Sequence, residues 1–336
     1  MDIKDAISRI VDREDLSRTD MEAAMRQIMT GNATPTQIGG FLAGLRAKGE
    51  TVDEIAAAAK VMRELAVGVK VAPEHLVDTC GTGGDGKGLF NVSTASAFVA
   101  AAAGARVAKH GNRAMSGSSG SADVLEALGV KLDLPPERIV ECIDRIGLGF
   151  MFAPAHHSAT RFAAGPRKEL GTRTLFNLLG PLTNPAGAPN QLLGVFAPRW
   201  VEPMAKVLRT LGSEHVLVVH SRDGLDEISI AGPTWVAELQ DGQVRSYTVQ
   251  PEDFGITRQS IDALRAGSAD QSLELVRAAL SGRPGPAGDM VALNAGAAIY
   301  AAGISETLVN GVARARETLS SGAALSKVTE LVEMTR

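Results

Sequence analysis

Cysteine and aromatic residues are scarce in this sequence. Its 336 residues include two cysteines, Cys80 and Cys142, which show neither the CxxC spacing of redox and zinc sites nor the even framework of a small disulfide-rich domain. Aromatic residues make up 4% of the chain, too few for an obvious platform on which bases could stack. We therefore expect a protein of a reducing compartment, without structural disulfides and without a nucleic-acid partner.

An excess of positive charge and long apolar runs are also missing. The 34 Lys and Arg residues are outnumbered by 38 Asp and Glu, and the net charge of −4 favours neither nucleic acid nor an anionic membrane as a partner. The longest apolar run, Ala95 to Ala103, includes a serine and is far shorter than the roughly 18 residues that span a membrane. No secretion signal is visible among the first residues. These absences predict a cytoplasmic globular protein with no membrane partner.

Two patterns of predicted secondary structure divide the chain into two parts. Residues 1–70 predict a small all-helical domain, since three hydroxyl residues show the capping-box pattern of a helix N-terminus: Thr19 with Glu22, Thr34 with Gln37, and Thr51 with Glu54. Beyond residue 71, β-type runs at 76–79, 106–108 and 216–220 alternate with helical stretches, which is typical of an α/β domain with a mainly parallel sheet. We predict loops at 154–171 and 180–189, and helices again from about residue 260.

A glycine-rich stretch follows the first predicted strand. Five glycines fall within the eight residues from Gly81 to Gly88, and a helix is predicted to begin near Ser93. Glycine allows positive φ and close approach of a ligand to the backbone, and amide groups beside a helix N-terminus bind anions. The spacing fits neither a Walker A loop nor a Rossmann fingerprint. The stretch is a candidate phosphate loop, with a plain surface turn as the alternative.

A second loop rich in glycine and serine follows the strand that ends near Ala108. Residues 116–121 are all Gly or Ser, Ser121 is placed to cap a helix running to Gly129, and Lys109 and Arg113 add positive charge. Taken singly, each cation is better explained as a solvated surface residue. Because ligands bind at the carboxyl ends of parallel strands, the two loops together predict a ligand with two phosphate groups.

Two further groups of residues carry chemistry. Asp226 and Glu227, just beyond the third strand, are candidate ligands for Mg²⁺, which prefers oxygen donors and bridges carboxylates to phosphates; solvated acids are the alternative. His156 and His157 lack the HExxH spacing, so a zinc site is not favoured. Arg167 is a candidate for holding a carboxylate in a bidentate fork, although a helix-surface arginine explains it equally well.

These four elements, in this order, resemble the anthranilate phosphoribosyltransferase family over nearly the whole chain. The motifs that carry the resemblance are Gly81-Thr-Gly-Gly-Asp85, Asn91-Val-Ser-Thr94, Lys109-His-Gly-Asn-Arg113, Arg167, the run from Arg173 to Pro185, and Leu225-Asp-Glu227. The resemblance implies a nucleoside phosphorylase-like architecture: a small helical domain of residues 1–70 with an inserted segment near 166–190, and a large α/β domain of residues 71–165 and 191–336. It also implies transfer of a phosphoribosyl group from phosphoribosyl pyrophosphate (PRPP) to anthranilate in tryptophan biosynthesis, and a homodimer formed through the helical domain.

The same resemblance implies the site residues by matching position. PRPP would contact Gly81, Gly84, Asp85, Leu89, Asn91, Val92, Ser93, Thr94, Lys109, His110, Gly111, Asn112, Arg113, Ala114, Met115, Ser116, Gly117 and Ser121. Anthranilate would contact Gly81, His110, Asn112, His157 and Arg167. Two Mg²⁺ ions per subunit would be held by Ser93, Asp226 and Glu227. No residue is implied as a general acid or base.

Three residues depart from the family pattern. Leu89 stands where threonine is usual, Ser158 where proline is usual, and Pro166 where valine is common. We expect these departures to change affinity but not the reaction class. Two other functions stay open: a pyrimidine nucleoside phosphorylase, which shares the architecture but carries a different lysine-rich loop, and a non-catalytic nucleic-acid-binding paralogue, which the net charge of −4 disfavours.

Overall fold

The computed structural model describes residues 1–114 and 119–336. Its first four helices form the predicted helical unit: α1 (Ile3–Val11), α2 (Arg18–Met29), α3 (Pro35–Lys48) and α4 (Val52–Glu64). Thr34 and Thr51 each close a complete capping box, which confirms those two helix starts. The start predicted at Thr19 is wrong, because Ser17 caps α2 by accepting the N–H of Asp20.

The α/β part is built on one seven-stranded sheet. Its strands are β1 (Leu76–Gly81), β2 (Arg106–Gly111), β3 (Leu148–Phe152), β4 (Asn190–Gly194), β5 (His215–Ser221), β6 (Thr234–Gln240) and β7 (Gln243–Val249). They lie in the order β3-β2-β1-β4-β5-β6-β7. The first five pair in parallel, and β6 pairs in antiparallel fashion with β5 on one side and with β7 on the other. The predicted mainly parallel sheet is therefore confirmed.

Helices cover both faces of the sheet. In chain order after β1 these are α5 (Val92–Ala102), α6 (Ser121–Ala127), α7 (Pro136–Ile146), α8 (Ala153–His156), α9 (Arg161–Leu170), α10 (Phe176–Leu179), α11 (Val201–Thr210), α12 (Ala269–Leu280), α13 (Pro286–Ala301), α14 (Leu308–Ser320) and α15 (Ala323–Thr335). Within residues 1–114 and 119–336, no helix combines the length and apolarity needed to cross a membrane.

Side chains alternate along the buried strands and so feed two cores. In β5, Leu217 and Val219 join the helices α5 and α13 in one apolar cluster. Val216 and Val218 face the other way and join a second cluster that includes Phe41 of the helical unit. The helical unit therefore packs on the same side of the sheet as α11 and shares its core with the α/β part.

One predicted loop is largely helical. Residues 154–171, predicted to be a loop, contain α8, a short 3-10 turn and α9. Ala163 and Pro166 are buried in α9, so tertiary packing outweighs the low helix propensity of the sequence. The other predicted loop, 180–189, has only a 3-10 turn at Gly180–Leu182.

Candidate active site

The predicted functional elements meet at one edge of the sheet. The two glycine-rich loops follow β1 and β2, which are neighbouring parallel strands. The acidic pair follows β5, which is separated from β1 only by β4. Because these strands run in the same direction, their carboxyl ends form a shared rim, the usual position of a ligand site in an α/β sheet.

The first loop, from Gly81 to Gly88, has a conformation that its glycines permit and that hydrogen bonds to β4 and Phe196 hold at its start. Gly83 and Gly84 adopt positive φ values of 63° and 74°, which glycine alone tolerates readily. The Thr82 amide donates to the Gly194 carbonyl at 2.9 Å, and the Thr82 hydroxyl accepts the Phe196 amide at 2.9 Å. These bonds fix the start of the loop on β4.

The far end of the loop is fixed on other elements. Leu89 forms an isolated antiparallel bridge with Arg265, and its side chain packs against the apolar core around α5 and α13. Asn91 precedes α5, and its side-chain amide donates to Ser119 and to the Ser272 hydroxyl of α12. The departure at Leu89 thus places an aliphatic side chain where packing stabilises it.

The acidic pair lies directly against the first loop. The Asp226 carboxylate accepts the Gly83 amide at 3.0 Å, although the two residues are 143 positions apart in the chain. Burial and the charge of Asp85 raise the pKa of Asp226 to about 7. Burial and repulsion from Asp226 raise the pKa of Glu227 well above its ordinary value. A divalent cation would stabilise the ionised form of both carboxyls, so this pair fits a magnesium ion.

Lys109 is a buried residue of this site. Its ammonium group donates to the Thr79 carbonyl at 2.6 Å and to the Ser93 hydroxyl at 3.3 Å. Burial lowers the pKa of Lys109, while the charges of Asp78 and Glu227 oppose that shift. The alternative of a solvated surface cation is therefore wrong for Lys109, whose positive charge lies close enough to interact with Glu227 of the acidic pair.

Arg113 is placed differently. Its guanidinium is exposed and donates to both carboxylate oxygens of Glu126, at 2.6 and 2.9 Å, and to Asp123 at 3.3 Å. It also lies 5.7 Å from the centre of the Phe152 ring. In this arrangement its charge is matched by surface carboxylates.

The second loop is described only in part. The predicted contacts Met115, Ser116 and Gly117 lie outside the described residues. Ser121 does not cap α6 as expected, because it is the first helical residue and the helix ends at Ala127. The Asp123 carboxylate instead accepts the amides of Gly120 at 2.7 Å and Ala114 at 3.0 Å. Gly111 passes so close to Ser121 that a Cβ there would meet the serine hydroxyl.

Two buried histidines stand beside each other at this edge. The rings of His110 and His157 lie 5.1 Å apart, edge to face. Both Nε2 atoms are buried, and neither has a hydrogen-bond partner among the described residues. Burial lowers the pKa of His110 to about 3 and that of His157 to about 4, so both rings are neutral at pH 7. Where the chain is described, no group of three or more His, Cys, Asp and Glu side chains is arranged to hold a metal ion.

Arg167 lies on α9 with its guanidinium 5.0 Å from the centre of the Phe176 ring. Burial lowers its pKa, and in the described ranges no carboxylate pairs with it. A half-buried guanidinium without an anionic partner is suited to receive a ligand carboxylate.

Sequence reasoning missed two residues that support the site, Asp78 and Ser272, and gave no individual role to Arg173, which it named only as the start of a motif. Asp78 is fully buried in β1, and its carboxylate accepts the His110 amide at 3.2 Å. Ser272 accepts the Asn91 amide at 3.0 Å, and Arg173 donates to the Gly84 carbonyl. A carboxylate inside an apolar strand was a signal for Asp78, whereas nothing local marked Ser272.

Comparison with known proteins gives consistent results. Residues 73–325 match the protein family described as "Glycosyl transferase family, a/b domain". Residues 4–66 match the family described as "Glycosyl transferase family, helical bundle domain". Anthranilate phosphoribosyltransferase from Marinomonas sp. (strain MWYL1) is 61% identical over all of this chain and 98% of its own length. The enzyme of the same name from Thioalkalivibrio sulfidiphilus is 60% identical over all of this chain and 99% of its own length.

Solved structures agree. Anthranilate phosphoribosyltransferase from Thermus thermophilus superimposes with a TM-score of 0.94 at 48% identity, over 99% of both chains. The Saccharomyces cerevisiae enzyme in complex with PRPP and Mg has a TM-score of 0.89 at 26% identity, over 99% of this chain and 97% of its own.

Proposed function

The chain belongs to the anthranilate phosphoribosyltransferase family, and we propose that its two glycine-rich loops and acidic pair form the site of this reaction. The enzyme transfers the 5-phosphoribosyl group of PRPP to anthranilate, giving N-(5-phosphoribosyl)anthranilate and pyrophosphate in tryptophan biosynthesis. The observation that carries the site assignment is the hydrogen bond between Gly83 and Asp226, which joins the phosphate loop to the acidic pair.

PRPP lies between the two loops in this proposal. The backbone from Gly81 to Asp85 and the N-terminus of α5 supply amide donors for its phosphates. The ammonium group of Lys109 lies beside the Ser93 hydroxyl at the start of α5 and adds positive charge to this anion site. The full set of proposed PRPP contacts is the one that matching position implies: Gly81, Gly84, Asp85, Leu89, Asn91 to Thr94, Lys109 to Gly117, and Ser121.

Magnesium is held by the acidic pair in the same proposal. The S. cerevisiae relative contains Mg together with PRPP, and the raised pKa values of Asp226 and Glu227 indicate two carboxyls whose ionised form a cation would stabilise. We assign two ions per subunit to Asp226, Glu227 and the Ser93 hydroxyl. When bound, Mg²⁺ acts as a Lewis acid on the departing pyrophosphate and contributes several kcal/mol.

Anthranilate lies beside the histidine pair with its carboxylate on Arg167. Gly81, Asn112, His110 and His157 line the proposed site. Because both imidazoles are neutral, they provide a polar wall that adds no charge. The charge that sets the orientation of the substrate therefore comes from Arg167.

The reaction requires that the two substrates be held in position and that the charge on the leaving pyrophosphate be stabilised. The anomeric carbon of PRPP becomes oxocarbenium-like as pyrophosphate leaves, and loop amides with Lys109 stabilise the negative charge that develops on the leaving group. The aniline-type amine of anthranilate is neutral at pH 7 and attacks without a strong base: its nitrogen bonds to the anomeric carbon as the bond to the pyrophosphate oxygen breaks, and the resulting ammonium releases a proton to solvent. Holding both substrates in attack geometry supplies as much as about 7 to 11 kcal/mol.

The larger organisation follows from the same family membership. We propose a helical domain of residues 1–70 with the inserted segment 166–190, and an α/β domain of residues 71–165 and 191–336. The buried contacts of Leu178 and Leu179 with the helical cluster support the insertion. We further propose a homodimer formed through the helical domain, acting in the cytoplasm.

One assay tests the function. Anthranilate fluorescence should disappear when the protein is added with PRPP and Mg²⁺, and should persist when either is left out. The competing pyrimidine nucleoside phosphorylase would instead cleave thymidine or uridine in the presence of phosphate. Persistent anthranilate fluorescence together with nucleoside cleavage would overturn the proposal.

A further inference from the structure

Arg173 contacts three parts of the molecule at once. Its guanidinium donates to the carbonyl oxygen of Gly84 at the tip of the first loop. The same group lies 4.4 Å from the centre of the Phe196 ring, just beyond β4. The main-chain carbonyl of Arg173 accepts a hydrogen bond from Arg46 of α3 at 2.6 Å. A chain of contacts therefore runs from the helical unit to the phosphate loop.

The contact at Gly84 determines where a loop amide points. The Gly84 carbonyl belongs to the same planar peptide unit as the amide of Asp85, and the two groups point in opposite directions. Gly84 has a positive φ of 74°, in a loop where neighbouring glycines permit many backbone conformations. Holding the carbonyl from the outside therefore aims the Asp85 amide, and with it the anion-binding face of the loop.

Arg46 affects the first loop indirectly, through its contact with Arg173. Its side chain is exposed on α3 and contacts the main chain of Arg173. It fixes the short segment between α9, which carries Arg167, and α10. The segment that positions the loop is thus continuous with the helix that carries the carboxylate-binding arginine.

We propose that Arg173 is a positioning residue for PRPP, that it acts by holding the Gly84 carbonyl, and that Arg46 supports it through its main chain. This inference rests on the proposed function. The exposed position of both arginines means that their removal leaves the core intact.

The test is a double-mutant cycle measured with PRPP, anthranilate and Mg²⁺. Arg173→Ala should raise the KM for PRPP about tenfold, since the lost hydrogen bond involves a charged donor. Arg46→Ala should raise the same constant about threefold, and the double variant should not exceed Arg173→Ala, because residues in one chain of contacts are not additive. The KM for anthranilate and the melting temperature should stay near the wild-type values in all three.

Arg199→Ala is the matched control. Arg199 is another exposed arginine that lies over an aromatic ring, 5.5 Å from the centre of Trp200, and its removal should leave the KM for PRPP unchanged. If Arg173→Ala does not fold, Arg173→Gln takes its place, because glutamine keeps an N–H donor and most of the side-chain length. Its KM for PRPP should rise by less than the tenfold expected for Arg173→Ala.

The possible outcomes distinguish failure of the proposed function from failure of the positioning role of Arg173. A wild-type protein without turnover refutes the proposed function and, with it, the positioning role. An active wild type whose Arg173→Ala variant keeps its KM for PRPP overturns the positioning role alone. Effects of Arg46→Ala and Arg173→Ala that multiply in the double variant, or an Arg46→Ala variant that behaves as wild type, show that Arg173 acts without support from α3 and overturn that part of the inference.

Discussion

Gly194 lies directly against Asp226: a Cβ atom added to this glycine would overlap the main-chain oxygen of Asp226. The end of β4 therefore packs against the main chain of the acidic loop, the segment after β5 that carries Asp226 and Glu227. Gly81 of β1 does the same at the side chain, where an added Cβ would be 2.6 Å from the Asp226 carboxylate. The position of the proposed magnesium site therefore depends on two strand-end glycines, Gly81 and Gly194, that have no side chain.

Gly194→Ala should accordingly displace the acidic loop. The clash is with backbone, which cannot move aside as a flexible side chain does, so we expect a loss of about 1 to 3 kcal/mol in stability together with weaker use of PRPP. Gly39→Ala on α3 is the control, because an added Cβ there meets nothing within 4 Å and should stabilise the helix by up to about 1 kcal/mol. Denaturant unfolding and steady-state kinetics would measure both. Normal kinetics in Gly194→Ala would refute the supporting role.

Removing the charge of the acidic pair should weaken magnesium-dependent catalysis. For Asp226→Asn combined with Glu227→Gln, we expect kcat/KM for PRPP to fall about 100-fold, since the lost electrostatic contribution is several kcal/mol. The activity should be followed over a range of Mg²⁺ concentrations. Glu202→Gln, an exposed carboxylate of α11 paired with Lys206, should behave as wild type. Full activity of the double variant would remove the pair from the metal site.

Arg167→Ala should act on one substrate. Loss of a charge-assisted contact with the carboxylate should raise the KM for anthranilate about 10- to 100-fold and leave the KM for PRPP close to its wild-type value. Lys168→Ala is the control, because its side chain is an exposed cation on the same helix. An unchanged KM for anthranilate in Arg167→Ala would end the assignment of Arg167 as the carboxylate clamp.

The buried histidines should make stability depend on pH. The pKa of His157 is lowered from 6.5 to about 4, so the unfolded chain binds a proton more readily than the folded one between these values. The free energy of unfolding should therefore fall as the pH drops from about 6.5 towards 4, by at most about 1.4 kcal/mol per pH unit for this group. His157→Gln should show a shallower decline in thermal melts between pH 7 and 5. Parallel pH profiles of wild type and variant would contradict the shift.

Local patterns in the sequence determined much of the secondary structure. The capping boxes at Thr34 and Thr51 depend on residues three positions apart, and the α/β alternation depends on short apolar runs, so both could be predicted. Where local signals misled, packing was stronger: α9 continues through Gly165 and Pro166 because its inner face is buried. The hairpin between β6 and β7 was missed, although Asp241 and Gly242 have the residue types and positive φ of a tight turn.

The candidate site was predictable as a set of motifs, since glycine-rich loops and paired carboxylates indicate their chemistry by residue type. How those motifs touch was decided by the tertiary structure. The strand order places β1 beside β4, which brings Gly83 to Asp226 across 143 positions of sequence, and it buries Lys109 while Arg113 pairs with surface carboxylates. No short-range pattern encodes such contacts, because they depend on how distant segments pack and on which charges that packing removes from water.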